Sequence, residues 1–314
     1  MNAVAKKVKP SRFEAVKKAW RQNKCRYILL IPAVLVRVVF RYLPFAGVSI
    51  AFMDYNVIDG FGSEWVGFQN FIDVFADPGI WVIVLRTLKY STFITFVAFP
   101  FPILLALMFN ELNSKNLKRV AQTLTYLPHF LSMITVVGLF YQMLSINGTF
   151  NNILGKIIGE SYVPKNILLD SEYFLPIIFS AALWKGVGWS SIVYISAIAG
   201  IDGSLYEAAA IDGCGRLRQA WYITIPGISG TIVLLLVMKF GNVLSVGFEL
   251  VNGFQNLYTQ NDTDVISTFV YRNGIVNGNY SQTTAFGLAD GLVSLTLIYV
   301  ANKVSKKLFS IGIW

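Results

Sequence analysis

The feature that most constrains this chain is a series of six apolar runs set between short polar connections, over residues 27–53, 81–109, 122–145, 173–199, 227–251 and 284–302. A helix needs about 20 mainly apolar residues to cross the hydrocarbon core of a bilayer. Backbone polar groups in lipid have to be satisfied within the protein, so runs of this length fold as helices. The expected fold class is all-α, a polytopic membrane protein with six transmembrane helices. Composition agrees: 55% of the residues are hydrophobic and 14% charged, against about 25% charged in an average soluble domain.

The net charge of +9 would ordinarily suggest nucleic acid. The distribution excludes it. Lys6, Lys7, Lys9, Arg12, Lys17, Lys18, Arg21, Lys24 and Arg26 all precede the first apolar run, the pattern of a juxtamembrane segment on the cytoplasmic side of a lipid bilayer. Phe13, Val16 and Trp20 recur at helical spacing among lysines. Residues 11–24 therefore read as an amphipathic helix on the membrane surface or as a plain solvated one. The basic stretch is too long, and the apolar run to Met53 too extended, for a signal peptide. Cys25 and Cys214 indicate neither a disulfide framework nor a metal site.

The connections differ in charge. Lys115, Lys118 and Arg119, then Arg216 and Arg218, then Lys303, Lys306 and Lys307 mark one side. Asp54, Asp59, Glu64, Asp73 and Asp77 occupy a connection with no Lys or Arg; Lys156 and Lys165 lie in the next on that side, and Arg272 in the last. Counting Lys and Arg predicts that both termini are cytoplasmic. Within the first run Arg37 and Arg41 share a helix face. They read either as a pair facing substrate or gate, or as one snorkelling and one interhelical arginine. Pro32, Pro44, Pro100 and Pro102 suggest kinks.

The most informative stretch is Ser204–Gly227, SLYEAAAIDGCGRLRQAWYITIPG. Ser204 and Glu207 have capping-box spacing, which predicts a helix start. Gly213 and Gly215 permit a sharp turn. A second short helix carrying Arg216, Arg218, Gln219 and Trp221 runs to Ile225, and Pro226 opens the next span. The product is a helix–turn–helix under the membrane, joined at both ends to spanning helices. A rigid piece of that kind can transmit force.

This stretch resembles the EAA loop of binding-protein-dependent ABC importer permeases. That pattern is Glu-Ala-Ala, three residues, Gly, nine residues, then Ile-x-Leu-Pro. Glu207, Ala208, Ala209, Gly213, Ile223 and Pro226 fall at its spacing, with Ile225 in place of Leu. Arg41–Pro44 with Ile50–Phe52, Leu127–Ser132, Ala199–Asp202 and Val265–Arg272 resemble the carbohydrate-uptake group and its oligosaccharide or polysaccharide branch. The resemblance implies a cell-membrane subunit that moves sugars inward by alternating access. It also implies a second homologous permease, two cytoplasmic ABC ATPase subunits and an extracytoplasmic solute-binding protein. The ATPase-coupling residues are then Glu207, Ala208, Ala209, Asp212, Gly213 and Arg216. The chain divides into a basic segment, 1–26, a six-helix permease domain, 27–309, with its coupling loop at 204–226, and a tail, 310–314. It contains no G-x-x-x-x-G-K-[ST] pattern. ATP and magnesium belong on the partner ATPases, no cofactor is expected in this chain, and it is not expected to be an enzyme.

Sugars are held by aromatic faces and by amide or hydroxyl hydrogen bonds in an apolar cavity. Candidates at membrane depth are Tyr141, Gln142, Trp184, Trp189, Asn242, Ser245, Gly247 and Glu249, with Lys185 and Ser190 close by. Asn242, Ser245 and Glu249 fall on one face if the fifth run is one helix. Interhelical hydrogen bonding is the competing reading for each. The polar connection 252–283 reads as a surface for the solute-binding protein, a cap on the cavity, or a disordered connector. His129 reads as a packing or capping residue. An ion-driven transporter is the alternative; it would want membrane acids, of which Glu249 stands out, and repeated halves, which are not visible. A membrane enzyme would need a cluster of His, Asp, Glu or Cys, and none is evident.

Overall fold

A computed structural model describes residues 20, 22–240, 243–309 and 312. The basic segment predicted over 11–24 lies almost wholly outside the described residues, as do Asn242 and most of 310–314. The rest is overwhelmingly helical, apart from a two-residue antiparallel ladder pairing Met53 with Trp65 and Asp54 with Glu64.

Among the described residues, five helices are long and apolar enough to cross a membrane: Lys24–Phe52, Pro78–Glu111, Met133–Ile158, Ser171–Ile198 and Tyr280–Lys307. They become six if the pair Arg216–Gly227 and Ser229–Phe240, which meet at a bend of 62°, is taken as one broken span. Much large apolar side-chain surface stays exposed along these helices, as expected where lipid or another subunit supplies the cover.

The first span is the least attached. None of the residues from Lys24 to Tyr42 is buried, Arg37 and Arg41 included. Pro32 lies inside its regular α-helix, whereas Pro44 sits where a π-helical turn, Val38–Tyr42, gives way to a tighter 3-10 segment, Leu43–Phe52. A proline removes the N–H that would reach back one turn, so a change of winding there has a direct cause. The 3-10 segment packs against the last span. Tyr55 N–H donates to Ser281 Oγ at 2.8 Å, and buried Asn70 donates to the Ala51 and Met53 carbonyls at 3.0 and 2.9 Å.

The second and fourth spans form the axis of the bundle. Asp77 caps the second by accepting from Gly79 N–H at 2.8 Å, with Pro78 in the first turn. One core patch gathers Val136, Ile178, Ala181, Val251, Phe254 and Val265. Ala106, Tyr194, Ile198 and Ile228 form another, near the bend between Arg216–Gly227 and Ser229–Phe240. Gly188 shows how close the fourth span lies to the preceding chain: a Cβ there would stand 2.0 Å from the Thr125 carbonyl oxygen.

Two predicted spans are not continuous helices. The run 122–145 divides into an amphipathic helix Lys115–Tyr126, a 3-10 turn Leu127–Phe130 and a helix Met133–Leu144 capped by Ser132. Pro128 has no N–H to continue the first helix. The freed carbonyls of His129 and Leu131 accept from the Lys185 ammonium, the former at 2.9 Å. In the run 227–251 the first stretch of helix is Ser229–Phe240, about 18 Å at 1.5 Å per residue. Helix resumes at Phe248–Phe254. Between them the Val243 carbonyl accepts from the Ser91 hydroxyl and the Val246 carbonyl from Ser267 Oγ at 3.2 Å. Non-helical backbone at membrane depth persists where protein groups satisfy it in this way.

Candidate functional site

The elbow is built by local rules. Its first helix is Gly203–Ile211, and the residue that starts it is Asp202, not Ser204 as the box spacing predicts. Asp202 is extended, at φ −64° and ψ 123°, and accepts from Ser204 N–H at 3.0 Å. That backbone hydrogen bond, with a second from the Ser204 side chain, holds the Asp202 carboxyl below the ordinary carboxylate range. Ser204 is thus already inside the helix.

The helix ends in a Schellman turn. Gly213 has φ +74°, its N–H donates to the Ala210 carbonyl at 3.1 Å, and Cys214 N–H donates to Ala209 at 2.8 Å. Only glycine takes that φ without strain. Gln219 Nε2 then donates to the Cys214 carbonyl at 2.9 Å, fixing the start of the returning leg. That leg runs Arg216–Gln219, winds as a π-helical turn over Ala220–Thr224, and reaches Gly227. The predicted second helix therefore continues two residues past Ile225, and Pro226 precedes the bend instead of opening the straight span. At the bend a Cβ on Gly227 would come within 2.8 Å of Ile201 Cδ1, so the feet of the two legs are in contact.

Glu207, Ala208, Asp212, Gly213 and Arg216 lie exposed on this elbow, with Ala209 partly covered. Arg216 reaches Glu111, at the end of the second span, at 3.5 Å. Both side chains are solvated, so the pair contributes at most about 1 kcal/mol. The turn also presents Ile211 and Leu217 at 87% and 88% exposure. An apolar tip of that kind, rimmed by charge, is a surface for a partner.

The residues expected along the sugar path are partly gathered. The Tyr141 ring lies parallel to that of Phe254 at 6.1 Å, and its hydroxyl donates to the Phe254 carbonyl at 3.4 Å, so it is tied into the core. Phe140 bridges Trp184 and Phe254, at 6.3 and 5.9 Å. Gln142, Ser245, Gly247 and Glu249 are exposed, and Trp184 is largely so. Trp189 stands apart from this group and stacks on His129 at 4.4 Å. Asn242 lies outside the described residues. Because residues 243–247 are not helical and helix begins again at Phe248, Ser245 and Glu249 do not share the helical face expected of them.

Several functional groups escaped the sequence reading. Lys185, read from the sequence among the groups near the sugar path, satisfies carbonyls of the broken third span. Asp290 in the last span is a second membrane acid beside Glu249; its Oδ1 is buried without a hydrogen bond among the described residues. The connection 252–283 folds into short helices, Gln260–Thr263 and Ile266–Val270, around buried Asp264. Arg272 pairs with Asp264, Thr268 Oγ1 donates to it at 2.6 Å, and Arg86 Nη1 donates to the Asn261 and Asp264 carbonyls at 3.0 and 3.2 Å. The connection is therefore not a disordered connector. Asp264, Thr268 and Arg272 recur every fourth residue, a helical spacing that was available as a signal.

Comparison with known proteins places these features. Residues 98–302 match the family model for the binding-protein-dependent transport system inner membrane component. The chain is 39% identical over 294 residues to the polygalacturonan/rhamnogalacturonan transport system permease protein YteP of Bacillus subtilis (strain 168), covering 93% of this chain and 91% of that one. It is also 39% identical over 298 residues to Protein LplB of the same organism, covering 94% and 93%. Among solved structures it superposes with a TM-score of 0.85, at 36% identity, on a chain of the bacterial alginate ABC transporter in complex with an alginate pentasaccharide-bound periplasmic protein, covering 94% of this chain and 99% of that one. With the fold, the elbow and nearly the whole length in agreement, this chain belongs to the family of binding-protein-dependent transport system inner membrane components.

Proposed function

We propose that the chain is one permease subunit of an ATP-driven ABC importer that moves sugars or oligosaccharides into the cytoplasm by alternating access. Its relatives are named for polygalacturonan/rhamnogalacturonan and alginate, so fragments of an acidic polysaccharide are the substrate class. ATP is hydrolysed on two separate ATPase subunits. A second homologous permease completes the membrane unit, and an extracytoplasmic binding protein delivers the sugar. Both termini lie in the cytoplasm, a reading supported by the distribution of Lys and Arg.

The observation that carries the reading is the elbow: two short helices braced at a left-handed glycine and tipped by exposed Ile211 and Leu217, with each leg passing directly into a span. The ATPase grips this tip, with Glu207 facing a basic residue of the ATPase. Movement of the grip swings the fourth and fifth spans together. The exposed face carrying Gln142, Trp184, Ser245, Gly247 and Glu249 meets the second permease, and the sugar passes between them. Tyr141 shapes that face through Phe254, and Trp189 flanks it.

The test is uptake of a labelled oligogalacturonide by cells carrying Glu207→Ala at normal membrane abundance. Uptake falling about tenfold or more, as for a charge-assisted contact at an interface, is the expected result. Undiminished uptake would contradict the reading.

A further inference from the structure

A lever transmits a push only if its two arms keep their angle. The elbow's arms touch at their feet through Gly227 and Ile201 and are joined at the tip by the Gly213 turn. Between those points a side-chain hydrogen bond crosses from leg to leg. The Tyr206 hydroxyl lies 2.9 Å from Thr224 Oγ1. Thr224 Oγ1 is 3.4 Å from the Gln219 carbonyl, five residues back, to which it donates. That leaves Tyr206 as the donor to Thr224. The five-residue reach belongs to the π-helical turn Ala220–Thr224, a winding that is rare and concentrated at functional places. Thr224 is 1% exposed, so this polar chain is shielded from water at its centre. Gln219 closes it by donating to the Cys214 carbonyl in the turn. The hydrogen bonds thus run from the first leg to the second and back to the tip.

We propose that the Tyr206–Thr224 contact is a strut that makes the elbow move as one body, and that Tyr206 is a positioning residue for coupling ATP hydrolysis to transport. The proposal rests on the importer reading. Without the hydroxyl the tip can pivot under the ATPase while the spans stay still, so ATP is spent without transport.

The experiment uses the full complex in proteoliposomes, with spin labels at Leu205→Cys and Tyr222→Cys, one on each leg, and Cys25 and Cys214 replaced by Ser. Two quantities are read: the distance distribution between the labels with ATP and vanadate, and labelled oligogalacturonide imported per ATP hydrolysed. Tyr206→Phe and Thr224→Val each broaden the distribution and lower the import ratio about fivefold, the scale of one lost neutral hydrogen bond. The double variant is no worse than Thr224→Val alone, because the Tyr206–Thr224 contact is already gone in that variant. Thr224→Ser, which keeps the hydroxyl, behaves as wild type. A role in folding alone would lower the yield of complex and leave both readings unchanged. Unchanged readings in complexes that hydrolyse ATP and import sugar overturn the strut and leave the importer standing. A wild-type chain that retains no ATPase subunit overturns both.

Discussion

The elbow and the face at membrane depth are held by different kinds of contact. In the elbow, cap, turn and cross-brace come from residues within Asp202–Thr224. At membrane depth, backbone opened by Pro128 and around Gly247 is satisfied from far along the chain: Lys185 serves carbonyls 54 and 56 residues before it, and Ser91 one 152 residues after it. The difference teaches where each region is vulnerable. Damage to the elbow stays local and shows in coupling. Damage to the membrane-depth network shows in assembly of the whole bundle.

The largest effect is expected where that contrast is steepest. Asp264→Ala leaves Arg272 without its carboxylate inside the folded connection 252–283. Asp264 is buried but Arg272 is 31% exposed, so the cost lies below the roughly 3–5 kcal/mol of a fully buried pair broken from one side. The amount of intact subunit in membranes, read by thermal stability in detergent, should collapse. Survival of that variant at wild-type stability would remove the network from the account.

Next comes Lys185→Met, which keeps an apolar stem and removes the ammonium from the His129 and Leu131 carbonyls. Stranding half-buried acceptors costs at most about 1–3 kcal/mol each. A fall in melting temperature is expected, with a loss of uptake no greater than the loss of folded protein. A selective loss of transport would place Lys185 in the sugar path instead.

Gly213→Ala reverses the pattern. It introduces a Cβ at φ +74° with no neighbour within 4 Å, so the cost is backbone strain alone, about 1 kcal/mol. Membrane abundance should hold while import per ATP falls. Equal loss of both would erase the distinction between the two regions.

The smallest effect concerns acid. The Asp202 carboxyl sits below its ordinary pKa because it is hydrogen-bonded when ionised. Its support for the first leg is therefore fully present above the unfolded carboxylate pKa, about 3.9, and is lost as pH falls through the lower folded value. Hydrogen exchange at Leu205 and Tyr206 should quicken in that window. Asp202→Asn, still a good cap, should remove the pH dependence.

What was legible in the sequence divides along the same line. The elbow's turn could be read because Gly213 and the Glu-Ala-Ala spacing are local, and the helix cap was misplaced by only two residues. Asp202 and Ser204 are both capping residues, and the box pattern does not see which of them is extended. Six crossings could be read because hydropathy averages over a window. The same averaging hid the breaks in the third and fifth crossings, since Leu127–Ser132 and Val243–Gly247 stay apolar enough to pass while their hydrogen bonds go elsewhere. The partners that make those breaks tolerable, Lys185, Ser91 and Ser267, are brought near only by the fold. Asp264 and Arg272 had a helical spacing, but they sat in a connection that reads as polar loop.

The most direct test of the central claim is a crosslink. In membranes containing the whole complex, a cysteine at Ile211 or Leu217, with Cys25 and Cys214 replaced by Ser, is joined by a short bifunctional reagent to cysteines placed over the ATPase surface. The account expects a crosslink to the ATPase subunit and protection of the tip from aqueous maleimide. A tip that stays freely labelled in the assembled complex, with no crosslink to the ATPase, would contradict it.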